Sequence, residues 1–568
     1  MGKSKFFSIA LAAALLAGCS NDDVVSDNGQ LNIKEGGQMQ VALNFGPQTR
    51  AASYDKGSEA ESVVKNAQFY FFNKADGKYL GTSGLLTTFG QKESDGNVER
   101  LVDVNVPVNA VEALKKGNAD VTVVAVLNAP SDFKADTTKT INEFNKATTS
   151  VGATNLGFMM TNSVYAAYSK VTENIASKDD NVTVSSANVY NVGQKPAGYQ
   201  PVTMYVERVS AKVKLNLNEE ANTTTEDGKF EVKSWALNVT NNKYYPLKKI
   251  ANIFSAANVA VPNLWANVTN NGVKGWSNAA DHRSFWAEDP NYNDKSNGYK
   301  SDFKIVPITE LTNKLGDSEY CLENTFSNEA QNTNQTTTAV IMTQFTMKDG
   351  KVTDIVLYEN KKYTAANFLN TVMGENNAAL KKYWKKEGNN YKQLSTSDFV
   401  LAAGEGEKDI TVNLGNNVTV IGSTNGRYIQ FAEGVGDIYK DVKKNADGTI
   451  SATKVDAATA LASIAPAKDK YTVFVNGFSY YEIPIRHFDD MEVPLVATDV
   501  NGASQIGRYG VVRNHTYNLT INSVSNLGNP ITGETIEPGS KPDDKTDFRM
   551  DVSIDVLSWA YRSQGIDL

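Results

Sequence analysis

Few residues in this chain could do chemistry, and the most informative is a cysteine. Cys19 follows Leu16-Ala17-Gly18 at the end of the apolar run Phe6 to Ala17, with Lys3 and Lys5 ahead of it. A positive start and a short apolar run read as a secretory signal over 1–18, too short to span a membrane. Small residues before a Cys are the pattern at which a signal is cut and the freed Cys19 is acylated. An ordinary signal with an incidental Cys is the plainer alternative. The second residue is Arg50, alone in the polar stretch Gln48-Thr49-Arg50-Ala51-Ala52-Ser53 just after Gly46-Pro47. The remaining candidates are weak. Three His, at 282, 487 and 515, leave little for acid–base or metal work, and Asp281-His282 and His515 read as satisfied structural groups. Two Cys exclude a disulfide scaffold and a Cys-based zinc site; Cys321, between Tyr320 and Leu322, reads as buried. Asp289-Pro290-Asn291-Tyr292-Asn293-Asp294 lacks the Gly and the late Glu of a calcium loop and reads as a solvated loop. Gly404-Glu405-Gly406 lacks the third Gly of a nucleotide fingerprint. Trp276 and Trp286 could stack on glycans, though loop packing is their default. No catalytic residue, metal site or cofactor is assigned, and the chain is read as a non-enzyme.

The elements that would position these groups are strands. The 568 residues hold 56 Lys+Arg against 64 Asp+Glu, a net charge of −8 that disfavours a nucleic-acid partner. Abundant Tyr, Phe, Thr, Val and Asn favour β structure with many turns. After a polar tether, Met39, Val41, Leu43 and Phe45 alternate with polar residues, one face of a strand. Strands are also expected at Phe69–Phe72 before an Asp76-Gly77 turn, at 101–106, buried on both faces at 121–127, and as one long run over 202–215. Others are expected at 230–237, 471–475, 480–485 and 511–521. Short helices are expected near 112–117, 141–147, 364–373, 378–386 and 456–464. The polar loop 219–228 is taken as a domain boundary. Pro530, Pro538 and Pro542 mark 529–547 as a flexible linker. Phe548, Met550, Val552, Ile554 and Val556 then alternate with polar residues, a second amphipathic strand. The fold class is all-β with short helical inserts, best arranged as two β-sandwich domains, 51–225 and 226–528.

Two amphipathic strands thus flank the body, and a strand with a free edge risks aggregation unless something covers it. Pairing within their own molecule is the simplest fate for both. The chain as a whole resembles the bacteroidete fimbrillins, the type V pilins, and most nearly the shaft subunit of the short, Mfa-type fimbriae. The resemblance is carried by the signal ending at Cys19, the Arg50/Ala51 step past an alternating strand, and Tyr205-Val206-Glu207-Arg208-Val209-Ser210-Ala211-Lys212. It is carried also by Val511-Val512-Arg513-Asn514-His515-Thr516-Tyr517 and by Val556-Leu557-Ser558-Trp559 with the ending Ile566-Asp567-Leu568. Ser20-Asn21-Asp22-Asp23 is similar to the short acidic signal for surface export of lipoproteins in these bacteria. The resemblance implies transthyretin-like sandwiches and a lipoprotein precursor held at the outer membrane through Cys19. It implies cleavage between Arg50 and Ala51 by an arginine-specific protease, discarding 19–50 with its strand Met39, Val41, Leu43 and Phe45. A donor strand, 548–568, from a neighbouring copy would then fill the groove. The expected product is an extracellular, head-to-tail fimbrium with accessory anchor and tip subunits, serving adhesion and biofilm. On this account the tail should pack poorly on its own body.

Two other readings remain: a lipid-anchored surface glycan-binding β-sandwich protein, or an anchor or tip subunit of a fimbria. A cleavable Arg50 argues against an uncut anchor, and a tip adhesin would be expected to add a recognisable binding domain.

Overall fold

The computed structural model describes residues 36–45, 54–55, 57–58, 60–94, 97–115, 120–131, 133, 140–146, 153–154, 157–162, 182–248, 289–291, 302–325, 335–414, 417–487, 509–537 and 550–559. Strands dominate them, with a few short helices. The elements used below are β1 (Gly37–Asn44), β2 (Ala67–Asn73), β3 (Tyr79–Leu86), β4 (Gly90–Ser94), β5 (Asn97–Val106), β6 (Val121–Leu127), β7 (Met160–Asn162) and β8 (Val202–Arg208). They are followed by β9 (Ser210–Asn222), β10 (Gly228–Asn238), β11 (Ser318–Leu322), β12 (Thr338–Met347), β13 (Phe478–Pro484), β14 (His515–Val524) and β15 (Met550–Trp559).

The first sheet runs β3-β2-β6-β7-β8-β1-β5-β4, with Val182–Val184 pairing on β6. One core serves both of its halves. Met39, Val41 and Leu43 of β1 and Val102, Val104 and Val106 of β5 pack with Phe69 and Phe71 of β2 and the apolar run of β6. Every residue of β6 is buried, as its continuous apolar sequence requires. The helix Val108–Lys115 closes this core with Ala110, Val111 and Leu114.

A second body is a two-sheet sandwich. One sheet runs β11-β9-β14-β15 and ends on the short strand Tyr54–Asp55; the other runs β10-β12-β13. Their facing residues form one cluster, including Val213, Trp235, Ile341, Ile483, Tyr517 and Leu519, the aligned packing expected of a sandwich. Residues 355–474 add small hairpins and the helices Ala365–Met373 and Ala457–Ile464 around Phe368 and Tyr471.

Five expectations change here. The run 202–215 is two strands: β8 belongs to the first sheet, Val209 crosses, and β9 belongs to the second. The buried apolar positions run Met204 and Val206 before the break and Val209, Ala211, Val213 and Leu215 after it, so the alternation slips by one residue at Arg208–Val209. The loop 219–228, taken as the boundary between 51–225 and 226–528, therefore joins β9 to β10 inside the second body. Residues 378–386 form a 3-10 turn, Leu380–Lys382, and then a strand, Trp384–Glu387. The segment 529–547 is not linker throughout: Ile531 and Ile536 are buried beside Val306, Ile308 and Ile421, and Asn529 N donates to Tyr480 O at 2.7 Å. The last strand of the body starts at His515, because Asn514 sits at φ 59°, a left-handed turn that Asn tolerates.

Trp235 is fully buried in the sandwich core, and its Nε1 donates to Lys314 O at 3.0 Å. Trp235→Ala should lower the stability of the second body by about 3–5 kcal/mol, read as a drop in the urea midpoint. A midpoint within error of the parent would show that this cluster does not hold the sandwich together.

Candidate functional site: the β1 seat and the junction behind it

β1 lies inside the sheet, not at its rim. It pairs antiparallel with β5 from Gly37↔Val106 to Asn44↔Glu99 and parallel with β8 from Val41↔Val202 to Asn44↔Tyr205. Met39, Val41 and Leu43 are fully buried and Phe45 nearly so; on the other face Gln38 and Gln40 are half-buried, but Ala42 and Asn44 are buried too. Gln38 and Gln40 point the other way, and Gln40 Nε2 donates to Asp103 Oδ1 at 3.0 Å. Gln38 also exchanges backbone hydrogen bonds with Tyr190. Gly37 begins the strand where a Cβ would stand 2.5 Å from Val189 Cγ1. Each buried aliphatic or aromatic side chain of β1 contributes roughly 1.5–3 kcal/mol relative to exposure. Taking β1 away would leave a slot between β5 and β8, bordered by Val104 and Val106 on one side and Met204 on the other.

β15 departs from expectation. It pairs antiparallel with β14 of its own chain from Val524↔Met550 to His515↔Ser558. Met550 is buried in the sandwich core, with Val552 and Ile554 half-buried against it. Asp551, Ser553 and Asp555 face out. Over 550–555 the apolar residues therefore face this chain's own core, and the tail does not pack poorly on its own body. The reason is elementary: without β15, the long strand β14 would present an unpaired ladder, and the nearest amphipathic strand covers it. Phe548, like Cys19, Arg50, Ala51, His282, Trp276 and Trp286, lies outside the described residues, as does the side chain of Val556.

The two quoted motifs meet where the first sheet passes into the second. Arg208, at the end of β8, donates from Nε to Glu61 O at 3.1 Å, from Nη2 to Ser62 Oγ at 3.0 Å and from Nη1 to Asn514 Oδ1 at 3.3 Å. Lys212 Nζ lies 3.1 Å from Glu61 Oε1, which also accepts from the Tyr320 hydroxyl at 2.5 Å. Burial pulls the Glu61 carboxyl up, but Tyr320, Ser58 and Lys212 hold it below its usual range. Arg513 is fully buried. Its Nε and Nη2 both donate to Glu323 Oε1, and its Nη1 and Nη2 donate to Pro246 O and Tyr245 O. Lys248 lies 3.5 Å from Glu207 Oε2, both side chains fully buried. Burial pushes Glu207 up to about 7, against the pull of Lys248 and Arg513, and pushes Lys248 down. The pair therefore leans towards neutrality, the expected response to a dry site. Sequence reasoning found Glu207, Arg208 and Arg513 by resemblance and missed Glu61, Lys248 and Glu323. Nothing in their local sequence signals these distant partners, Glu207 for Lys248, Arg208 for Glu61 and Arg513 for Glu323.

His487 and His515 also sit here, ring centroids 5.2 Å apart. The Tyr517 hydroxyl is 2.8 Å from His487 Nδ1 and accepts from Val512 N at 2.8 Å. Cys321 is buried in the sandwich core, and burial pushes its thiol up, away from reactivity. The Asp289 carboxylate accepts from Asn291 N and Nδ2, Asn241 Nδ2 and Thr325 N, so it caps a local turn. Among the described residues no group of three or more His, Cys, Asp or Glu is placed to hold a metal.

Burial, and then Lys248, depress His515 to about 4, and burial depresses His487 well below its ordinary value. Both must be neutral in the fold. Their contribution is full above the unfolded value near 6.5 and is lost as pH falls towards about 4. Glu207 acts in the opposite sense, because its protonation on acidification relieves a cost. His515→Gln should therefore remove up to about 3 kcal/mol of the stability lost between pH 6.5 and 4. Urea titrations at both ends of that window check it, and an unchanged acid loss would contradict it.

Residues 472–565 match the family model described as "Major fimbrial subunit protein type IV, Fimbrillin, C-terminal". A comparison with curated protein sequences finds no match. Among solved structures the chain is similar to a putative cell adhesion protein from Parabacteroides distasonis, at 11% identity and TM-score 0.37, covering 94% of this chain and 99% of that one. It is similar to a fimbrilin (FimA) from Porphyromonas gingivalis, at 11% identity and TM-score 0.34, covering 93% and 99%. It is similar also to the tip fimbrial protein Mfa3 of that organism, at 9% identity and TM-score 0.29, covering 92% and 100%. At these scores they say what the chain is similar to and no more. The matched segment begins at the strand Tyr471–Phe474, includes β13, β14 and β15, and holds the Arg513 motif: over 472–565 this chain is similar to a fimbrillin C-terminal region.

Proposed function

We propose that this chain is the structural subunit of a cell-surface fimbria, polymerised by exchange of strands between copies. The observation that carries the reading is the place of β1: an N-terminal strand, buried on its apolar face, that completes the middle of a sheet. On this reading Cys19 is acylated and carries the precursor to the outer membrane. An arginine-specific protease cuts between Arg50 and Ala51, and loss of β1 opens the slot between β5 and β8. A neighbour's tail then fills it through Met550, Val552, Ile554 and Val556, the same period-2 set as Met39, Val41, Leu43 and Phe45. Such a head-to-tail contact does not close on itself and builds a filament. Two sandwich domains, divided at Val209, are the repeating body. Accessory anchor and tip subunits, adhesion and a biofilm role belong to the same proposal.

The half-buried state of Val552 and Ile554 supports a tail that covers β14 in the precursor and gains burial elsewhere. The Arg50→Ala chain should remain a lipidated monomer; fibres in normal amount would refute the cleavage step. Ile554→Asp places an unpaired charge on the apolar face, which costs several kcal/mol, and should abolish SDS-resistant ladders as fully as deletion of 548–568. Ser553→Asp, on the exposed face, should leave ladders near normal. Equal loss from both point changes would overturn the facing, and ladders from the truncated chain would overturn the exchange.

A further inference from the structure

Away from the β1 seat and the junction, the 355–474 insert carries a four-stranded sheet in the order Asn390–Gln393, Trp384–Glu387, Ile438–Lys444, Ile450–Val455. Ile438 stands opposite both Lys385 and Val455, and Ile438 and Val455 pack into the cluster around Phe368. The opposite face therefore looks out. On it Trp384 stands opposite Gln393 and Tyr439, Tyr439 opposite Lys454, and Lys386 opposite Tyr391. Tyr391 and Tyr439 meet across the strand between them, centroids 4.9 Å apart and edge to face at 85°. All three rings are partly exposed, and none joins a buried cluster of the described residues.

Charge sets this sheet, both faces and its flanking turns together, apart from the rest of the chain. Residues 381–393 and 437–455 hold nine Lys against Glu387, Asp437, Asp441 and Asp447, a local net of +5 in a chain of −8. Lys386, Lys440, Lys443 and Lys444 are exposed and make no ion pair among the described residues. Neither stretch contains Arg, the side chain best shaped to grip phosphate in two places. Ammonium groups around flat rings suit carboxylates or sulfates spaced along a chain of sugars.

We propose that this face binds an acidic polysaccharide, with sugar rings laid on Trp384 and the Tyr391–Tyr439 pair and its anionic groups met by Lys386 and by Lys444, which stands opposite Ile450 on the Lys454 side of the sheet, while Lys454 itself is held by Asp437. Aromatic faces supply apolar area at little entropic cost, and lysines supply attraction that weakens as salt rises. The site does not depend on assembly, so it stands or falls separately from the fimbrial reading.

The test measures binding of the secreted chain to four probes: heparin for sulfate, polygalacturonate for carboxylate, neutral dextran, and single-stranded poly(dT). Binding is expected to heparin or polygalacturonate, the tighter of the two naming the anionic group, with dextran not bound. The Lys386→Glu, Lys444→Glu double variant and, separately, Tyr391→Ala should each weaken that binding about tenfold or more with the unfolding midpoint unchanged. No binding to either acidic polysaccharide overturns the proposal. So does parental affinity in Tyr391→Ala, which would leave charge alone, or tighter binding of poly(dT), which would make the ligand a nucleic acid.

Discussion

A strand in the middle of a sheet is tied on both sides, and the rest of this molecule depends on that constraint at β1. Its amides and carbonyls are shared between β5 and β8, and Met39, Val41 and Leu43 complete a core whose other members come from at least four strands. An edge strand can leave and expose one ladder; an internal strand leaves two ladders and an open core behind. Anything that removes β1 therefore creates a strong demand for another strand of the same period. Only an extended segment with alternate apolar side chains meets it, since a one-residue slip would turn every buried side chain outwards.

That seat is mechanically continuous with the tail. β8, which borders it, runs through Val209 into β9; β9 pairs with β14, and β14 with β15. At the crossing point Arg208, Glu61 and Lys212 hold one side, and Arg513, Glu323, Glu207 and Lys248 the other. Buried ion pairs are weak sources of net stability, because desolvation offsets most of the attraction. Their value here is geometric. Arg208 reaches Glu61, Ser62 and Asn514 at once, and Arg513 ties Glu323 to the 245–246 backbone. These bonds fix how the chain turns from one sheet to the next.

Much of the architecture was legible in local pattern. The alternation at 39–45, the all-apolar run at 121–127 and the helix at 457–464 each follow from periodicity, and Asp456 caps the last of these by accepting from Thr459 N. What was not legible is partnership. Period 2 at 548–556 says which face is apolar, not which edge receives it, and so the tail's pairing with β14 was unforeseen. The break at Val209 shows in the sequence only as a one-residue slip of phase, from Val202, Met204 and Val206 to Val209, Ala211, Val213 and Leu215. Ile531 and Ile536 were lost among Pro, Gly and Thr that read as linker. The charged junction assembles residues from Glu61 to His515, and only folding brings them together.

The central claim is that the seat vacated by β1 is refilled by a strand from another copy. Hydrogen exchange followed by mass spectrometry on assembled material reads it directly, because it reports both which peptides are present and which amides are protected. The account predicts chains that start at Ala51, lack all β1 peptides, and yet keep slow exchange along Asn97–Val106 and Val202–Arg208. Assembled chains that still carry β1, or that lack it and exchange freely along those two strands, would contradict it.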